Sequence, residues 1–337
     1  MKKEIIDYIN IFLAIAFGLL LILNLGVRYK NREYDKMYWN AEIYSSDENS
    51  SIKDENIIKI IDAKFYNNFN NSKTGLNSES LRKNRGILTT KIEENVLFHY
   101  SDNLLPDSLY LKYFSIDERK FYELSTKLPY EKIKNIADKY KEDPILFLEI
   151  KPTGKVILKI KEKENKEYEI IDSYNAKISS GELEMLTYEE YMNKKFNRYE
   201  GIENITDFSD LLQNKYKWLF KVKIDDDENL QSAYSYSYTY EHLNLFMNND
   251  TLDFQKIPRY FSIDWANHQQ EYSIHYNFND IQILNAFRSL NKIDSNEPIS
   301  MTFILFKDKY PQCDITRGNE SISLENLYPE KPIRHSK

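Results

Sequence analysis

The residues that carry chemistry in other proteins do not form a catalytic pattern in this chain. No two of the eight glycines lie within seven positions of each other, whereas dinucleotide fingerprints, P-loops and nucleophile elbows all need closely spaced glycines. The five histidines include no His-Glu-x-x-His zinc motif. Nothing in the spacing of the 53 acidic residues singles out a pair for acid–base work. The sequence therefore predicts no catalytic residues.

Three further groups of possible ligands or nucleophiles favour simpler interpretations. His268 and His275 flank a predicted hairpin turn and could face each other, but two separate imidazoles are favoured over a metal site. The acidic run 225–228 lacks the alternate spacing and the glycine of a calcium loop, which favours a solvated turn. Cys313 is the only cysteine, so it forms no intramolecular disulfide, and a partly buried apolar role is favoured over a nucleophile. We expect no metal and no cofactor.

A run of alternating tyrosines at 233–240 is the most conspicuous feature of the sequence. In a strand, Tyr234, Tyr236, Tyr238 and Tyr240 would all lie on one face, because side chains alternate. One interpretation is an aromatic stripe packed over a helix. A second is an exposed protein-binding surface, since tyrosine is favoured at interface hot spots. A carbohydrate platform is a third. These four tyrosines are the predicted partner-binding residues.

Composition places the chain among folded proteins. Apolar residues make up 41% and charged residues 29% of its 337 residues, enough to build a core. The net charge of −7 argues against nucleic acid as a partner, because phosphate backbones need clustered Lys and Arg. Tyrosine occurs 27 times, phenylalanine 18 times and glycine only eight times, a composition that suits pleated strands.

The N-terminal segment predicts a membrane anchor. After a tail at 1–8, residues 9–27 are almost entirely apolar. As a helix, about 19 residues just span a hydrocarbon core of about 30 Å. A cleaved signal peptide is the alternative, but the stretch is long for one and no small-x-small cleavage site follows it. We expect the membrane to be the partner of this segment.

The charges beside the anchor favour one orientation only slightly. Two lysines precede the apolar run, and four basic residues follow it closely: Arg28, Lys30, Arg32 and Lys36. By the positive-inside rule this places the body in the cytoplasm, but long domains cross membranes largely regardless of such differences.

The body divides by its hydrophobic pattern. Region 28–88 is polar, which predicts a tether with one short helix at 57–61. Beyond residue 89 the pattern predicts two strands, a helix and two strands, at 109–114, 120–124, 132–141, 145–150 and 156–160.

The same order of elements recurs at 260–265, 271–276, 281–290, 299–306 and 312–316. We therefore predict an α+β fold in which the transmembrane helix is followed by two similar antiparallel-sheet-plus-helix (ββαββ) units, 89–165 and 215–325. Internal duplication would explain their likeness. A helical connector at 166–214, with a helix at 188–198, would join them, and 326–337 would be a tail.

Several motifs between residues 90 and 325 resemble a bacterial envelope family, mostly lipoproteins, that is catalogued as domain of unknown function 2931. The motifs are Leu111-Lys112-Tyr113-Phe114-Ser115, Lys120-Phe121-Tyr122, Leu128-Pro129-Tyr130-Glu131-Lys132-Ile133, Pro152-Thr153-Gly154-Lys155-Val156, Glu189-Glu190-Tyr191, Tyr216-Lys217-Trp218, Ile257-Pro258 and Ile263-Asp264-Trp265. The resemblance implies an envelope location with the body in the periplasm, and it supplies no catalytic residues. This chain lacks the lipid-bearing cysteine of such lipoproteins, so its apolar helix would replace the lipid as anchor.

Together these features predict a single-pass protein of the bacterial inner membrane whose periplasmic body binds another protein without enzymatic activity. A concrete form is an immunity protein that neutralises a secreted antibacterial effector. The alternative is an envelope hydrolase or glycan-binding module with its site between the two units. That alternative predicts a cleft holding carboxylates or histidines with perturbed pKa values. A structural or assembly protein of the envelope is a third interpretation.

Overall fold

A computed structural model describes residues 2–31, 35–47, 55–91, 94–191, 194–245 and 253–336. Its first element is a long helix, α1 (Lys2–Asn31). The segment Tyr8–Arg28 of α1 is long and apolar enough to cross a membrane, and none of it is buried against the rest of the chain. Exposed apolar side chains all round a helix are typical of a segment surrounded by lipid.

The first half of the body consists of two six-stranded sheets. Sheet 1 has the order β11-β10-β9-β1-β5, with β6 also on β1, and sheet 2 has the order β12-β8-β7-β2-β3, with β4 also on β2. The strands are β1 (Met37–Ser45), β2 (Ile57–Asn67), β3 (Ser72–Gly75), β4 (Ile87–Thr89), β5 (Val96–Leu97), β6 (Ser101–Asn103), β7 (Ser108–Ser115), β8 (Lys120–Lys127), β9 (Pro144–Ile150), β10 (Lys155–Glu162), β11 (Glu169–Asn175) and β12 (Lys177–Ser179). The helices are α2 (Ser78–Asn84) and α3 (Tyr130–Ala137).

The predicted tether at 28–88 is wrong, because β1 and β2 are interior strands of the two sheets. In β1, Trp39, Ala41 and Ile43 are buried at alternate positions, and the polar residues between them point the other way. The predicted helix at 57–61 is also wrong. It is the start of β2, as expected for a stretch rich in β-branched isoleucine.

The predicted connector contains mostly strands. Its first part supplies β11 and β12 to the two sheets, and the helix predicted at 188–198 is instead a hairpin. Tyr188 pairs with Asn197 and Glu189 with Phe196 across this hairpin, and aromatic residues favour such pleated positions. The elements are α4 (Glu184–Thr187), β13 (Tyr188–Tyr191), β14 (Lys194–Asn197) and α5 (Ile205–Gln213).

The second half of the body has two four-stranded sheets and a short two-stranded pair, β15 with β18. Sheet 3 has the order β16-β21-β22-β23, and sheet 4 has the order β17-β19-β20-β24. The elements are β15 (Lys215–Tyr216), β16 (Trp218–Lys223), β17 (Asn229–Ser237), β18 (Gln255–Lys256), β19 (Pro258–Ala266), β20 (Gln270–Asn277), α6 (Asp280–Asn291), β21 (Ile299–Ile304), β22 (Gln312–Arg317), β23 (Glu320–Leu324) and β24 (Ile333–Ser336). The predicted tail at 326–337 is wrong in part, since β24 extends sheet 4 by pairing with β20.

The two halves pair their strands in the same order. In the first, β1 lies parallel to β9 and β7 lies between β2 and β8. In the second, β16 lies parallel to β21 and β19 lies between β17 and β20. A helix, α3 or α6, follows the hairpin in each half. In each half, two strands therefore precede the predicted ββαββ order of elements: β1 and β2 in the first half, and β16 and β17 in the second.

The apolar core has two parts. One fills the space between sheets 1 and 2 and includes Ile58 and Ile60 of β2. The other lies in the second half but also takes in the opposite face of sheet 2, where Phe114 packs 6.3 Å from Phe208 of α5, centroid to centroid. The two halves of the body therefore share one continuous apolar interface.

Candidate functional site: a tyrosine surface

The four predicted tyrosines do not share one face, because β17 ends at Ser237. Tyr234 and Tyr236 lie on β17 with their rings 6.2 Å apart, edge to face. Tyr238 and Tyr240 lie in the turn that follows, and Tyr240 has a φ of +64°. The predicted four-tyrosine stripe is therefore wrong beyond the first two residues.

Turn chemistry at Ser237 explains where the strand stops. Its Oγ accepts hydrogen bonds from the amides of Thr239 and Glu241, both at 3.2 Å. Its carbonyl accepts from the amide of Tyr240 at 3.0 Å. Serine and threonine hydroxyls stabilise turns in this way, so the Ser-Tyr-Thr spacing was a signal against a continuous strand.

Tyr238 is an internal residue. Its ring is almost completely buried, and its hydroxyl donates to Oδ1 of Asp280 at 2.5 Å. The other oxygen of Asp280 accepts from the amide of Glu200. Burial raises the pKa of the Asp280 carboxyl to about 6, although both hydrogen bonds oppose that rise. Asp280 therefore joins the connector to the second half, and Tyr238 is a buried partner of Asp280, out of reach of a protein at the surface.

Tyr240 is bound to a half-buried arginine. Nη1 of Arg259 donates to the Tyr240 hydroxyl at 3.0 Å, and the guanidinium lies over the ring of Tyr240 at 5.7 Å and that of Tyr238 at 5.9 Å. A guanidinium over aromatic faces is a stabilising arrangement, which indicates a structural role for Tyr240.

A third tyrosine, which the sequence did not predict, completes a partly exposed aromatic patch. Tyr260 of β19 pairs with Tyr236 across the strands, and its ring lies 6.1 Å from Tyr236 and 6.4 Å from Tyr234. Tyr234 is 37% exposed, and His242 packs edge-on to Tyr236 at 5.5 Å. We call Tyr234, Tyr236 and Tyr260 the tyrosine surface. Tyr260, Ser262 and Asp264 lie at alternate positions along β19. That spacing could have identified Tyr260 from the sequence as the third residue of the tyrosine surface.

A shallow depression of about 390 Å³ borders the tyrosine surface. It is lined by Tyr260, His275, Asn277, Tyr328 and Glu330. Tyr328 is 66% exposed, so this part of sheet 4 combines aromatic faces with polar side chains in reach of solvent.

The other residues considered from sequence have structural surroundings. His275 lies opposite Ser262 in the sheet, so it does not pair with His268. Asp227 of the acidic run contacts Lys307 at 3.1 Å. Within the described ranges, no group of three or more His, Cys, Asp or Glu side chains could hold a metal. Burial raises the pKa of the Cys313 thiol well above its ordinary value, which makes the thiol a poor nucleophile.

A cluster of ion pairs lies where the two halves meet, and we call it the junction cluster: Glu55, Lys91, Lys215, Glu241 and Lys256. Nζ of the buried Lys256 lies 2.7 Å from Glu55 and 3.3 Å from Glu241. Burial alone would raise the pKa of Glu241, but Lys256 and Lys91 outweigh burial and hold that pKa below its ordinary value. Glu241 is therefore an ionised, paired carboxylate rather than a proton donor.

Comparisons with known proteins return no match: no family model, no curated protein and no solved structure is similar to the chain. The resemblance to the envelope family therefore stays a prediction from the sequence motifs.

Proposed function

We propose that this protein is a membrane-anchored, non-enzymatic binding module whose protein partner packs on the tyrosine surface. The observation that carries the proposal is the cluster of Tyr234, Tyr236 and Tyr260 on a sheet, in which the ring of Tyr234 lies edge to face with both others and the rings of Tyr236 and Tyr260 are tilted by 34°. Tyrosine rings supply large contact areas with few rotatable bonds, and fixing them before binding lowers the entropy lost on association.

Alanine substitution tests the role of the surface. The test is co-expression with proteins encoded beside this chain, followed by purification of any complex. We expect the double variant Tyr234→Ala, Tyr236→Ala to weaken a complex at least about tenfold, since central aromatic contacts are typical hot spots. Tyr310→Ala is the matched control, because Tyr310 is also an exposed tyrosine but lies outside the surface. A complex that is equally sensitive to both changes would refute the proposal.

The concrete partner that we propose is a secreted antibacterial effector acting in the envelope. The anchor and the aromatic-rich body without a catalytic motif support this form of the proposal. Cells that express the chain should survive a co-expressed effector, and the double tyrosine variant should remove that protection. Survival that does not depend on the chain would exclude this partner.

We further propose that α1 spans the inner membrane once and that the body lies in the periplasm. The length and exposed apolar surface of Tyr8–Arg28 support the span, and the resemblance to the envelope family supports the side. Alkaline phosphatase fused after Lys337 should be active, since it folds only outside the cytoplasm. Activity of a cytoplasm-restricted reporter at the same position would reverse the orientation.

An internal duplication would explain why the two halves are built alike. The parallel pairs β1–β9 and β16–β21 and the antiparallel triplets β2–β7–β8 and β17–β19–β20 support it. A superposition in which β1, β2, β7, β8, α3 and β9 fail to fall on β16, β17, β19, β20, α6 and β21 would contradict it.

Glycan binding is a second candidate function, and the depression beside the tyrosine surface favours it. Tyr260 and Tyr328 offer ring faces, and Asn277 and Glu330 offer hydrogen-bonding groups, at one opening of about 390 Å³. Tyr328→Ala should then abolish binding to envelope glycans and leave a protein complex intact. A hydrolase between the two halves has less support, because Glu241 at that junction is an ion-paired carboxylate with a lowered pKa.

A further inference from the structure

A second, more enclosed cavity lies between sheet 2, α2 and the hairpin β13–β14. Its volume is about 570 Å³, within the range of small-molecule sites. Four cationic side chains line it together with one carboxylate, Glu189; the cations are Lys59, Arg82, Arg85 and Arg198. We call it the cationic pocket.

Lys59 occupies an unusual position for a lysine. It pairs with Ile87 and Phe114 in the interior of sheet 2, and it is only 7% exposed. Its neighbour Ile57, on the same side of β2, belongs to the apolar core shared by the two halves. Burying an ammonium in such surroundings destabilises a fold unless partners compensate for the lost water.

The described residues compensate Lys59 only in part. An ammonium has three N–H donors, and the one acceptor that it contacts within the described ranges is the carbonyl oxygen of Arg85. Glu189, the carboxylate of the pocket, faces the arginines instead: its oxygens lie 3.0 Å from Nε of Arg198 and 3.7 Å from Nε of Arg85. Lys59 therefore brings positive charge and unused donors to the wall of a cavity.

Apart from Ser78, the remaining wall residues are apolar or aromatic. Ile61 of β2, Leu81 of α2, Met185 of α4 and Tyr188 of β13 line the cavity beside the cations. Tyr188 and Met185 are each 41% exposed, which leaves an opening to solvent. A ligand that is complementary to both the cationic and the apolar walls has an anionic group at one end and an apolar body at the other.

We infer that the cationic pocket binds a phosphomonoester that carries a small apolar substituent. The phosphate would lie against Lys59, Arg85 and Arg198, and the substituent against Leu81, Met185 and Tyr188. A dianionic phosphate fits this site better than a monoanion because Lys59, Arg85 and Arg198 outnumber Glu189, the carboxylate among the described lining residues. Arginine supplies planar pairs of donors for phosphate oxygens, and lysine supplies a point charge.

The ionisation of Lys59 gives the binding a pH dependence. Burial lowers the pKa of Lys59 to about 8; the nearby Glu189 opposes this, and the Arg85 guanidinium adds to it. A bound phosphate stabilises the ammonium and raises that pKa again, so the ligand binds with uptake of protons. Affinity should therefore fall as the pH rises from about 7 to about 9.

Calorimetric titration of the full chain in zwitterionic nanodiscs tests the inference, with phenyl phosphate as the probe. We expect phenyl phosphate to bind at least about tenfold more tightly than inorganic phosphate or phenol. Of the three, phenyl phosphate alone has both an anionic group for the cationic wall and a ring for the apolar wall. Lys59→Met and Arg198→Gln should each weaken binding by about ten- to one hundredfold, the loss expected for a charge-assisted contact.

Lys83→Met is the matched control, since Lys83 lies on α2 beside the pocket but its side chain is 72% exposed and paired with Glu94. It should bind phenyl phosphate like the wild type. Lys59→Met keeps the side-chain length and removes a buried charge, so its melting temperature should equal or exceed that of the wild type. A binding loss with that stability cannot be attributed to unfolding. Undetectable binding to the wild type, or equal binding by Lys59→Met, would overturn the inference.

The phosphate could belong to a free metabolite or to a lipid headgroup. Repeating the titration in nanodiscs that contain phosphatidic acid, itself a phosphomonoester, distinguishes the two sources. Competition that weakens phenyl phosphate binding in wild type and Lys83→Met assigns the pocket to the lipid, and unchanged binding assigns it to a free ligand. Either result supports the binding of a phosphomonoester in the cationic pocket. Equal binding by the wild type and Lys59→Met would refute it.

Discussion

Some residues in this protein stabilise the fold from buried positions, and others lie on surfaces that are open to solvent. Tyr238 and Tyr234 are four positions apart in one run, yet the first bonds a buried carboxylate and the second is partly exposed. A run of identical side chains therefore does not imply a common role. The difference follows from the turn at Ser237, which removes Tyr238 from the strand.

Removing the two hydroxyls separately should show this difference. Tyr238→Phe deprives the buried Asp280 of a donor, and we expect it to lower the free energy of unfolding by about 1–3 kcal/mol. Tyr234→Phe, at an exposed position, should change that free energy by less than about 0.5 kcal/mol. Urea denaturation of both variants measures the two values. Equal effects would contradict the internal role of Tyr238.

Lys59 should give the unfolding free energy a distinctive pH dependence. Its pKa is about 8 in the folded protein, whereas an unfolded lysine titrates near about 10.4. Between these values the unfolded chain binds more protons, so this residue makes the fold more stable as the pH rises. Below about pH 8 the buried ammonium should destabilise the wild type by about 3 kcal/mol relative to Lys59→Met.

The measurement is chemical denaturation of wild type and Lys59→Met at about pH 7 and about pH 10, each pair under the same conditions. The advantage of the variant should be largest at the lower pH and should almost disappear at the higher one. Lys83→Met serves as the control, because its exposed charge should show no such trend. A difference that does not change with pH would show that Lys59 is not the titrating group.

At the scale of elements, α1 is separable from the body. The membrane-length part of α1 is unburied, and beyond it, within the described residues, Asp35 forms an ion pair with Lys134 of the body at 3.4 Å. A chain that starts at Asp35 should fold and stay in solution without detergent. Its thermal midpoint should lie within about 2 °C of that of the full chain, since no buried contact is lost.

Circular dichroism and sedimentation of the shortened chain test this expectation. The full chain should resist extraction from membranes by alkaline carbonate, and the shortened chain should remain soluble. Aggregation of the shortened chain would instead show that α1 covers part of the body.

The elements that sequence could predict are those with a clear period and a recognisable boundary. The hairpin β7–β8 and helix α6 have both, and the structure contains them where the pattern predicts them. β1 was missed because its buried apolar residues are few and alternate with the polar residues Asn40 and Glu42. β2 was misassigned because four isoleucines closely spaced around Lys59 fit either a buried strand or a short helix.

The sites were harder to predict for a different reason. The tyrosine surface joins β17 to β19, and the cationic pocket joins residues from β2, α2 and β13 and the residue after β14, which are up to about 140 positions apart. A single lysine among isoleucines forms no sequence pattern that predicts a cavity. Only the pairing of the sheets brings such residues together.

At the scale of the whole molecule, the two halves should unfold together because they share an apolar interface. Phe114 of sheet 2 belongs to the core of the second half and packs against Phe121 of β8 as well as Phe208. Phe114→Ala should destabilise the entire body by about 3–5 kcal/mol. Its unfolding should remain a single transition.

Far-UV circular dichroism and tryptophan fluorescence should give coincident thermal transitions, which is the test for cooperative unfolding. The three tryptophans report on both halves, since Trp39 lies in the first and Trp218 and Trp265 lie in the second. Two separated transitions in the wild type would show that the halves are independent.

The ion pair between Asp35 and Lys134 also limits how far the body can be from a bilayer that contains α1. Only four peptide links join the end of α1 at Asn31 to Asp35, and fully extended they span at most about 14 Å. A flexible tether of about 60 residues would instead allow an average separation of about 40 Å. If α1 spans a membrane, as we propose, the body works within a thin layer beside the lipid, and any partner has to come to that surface.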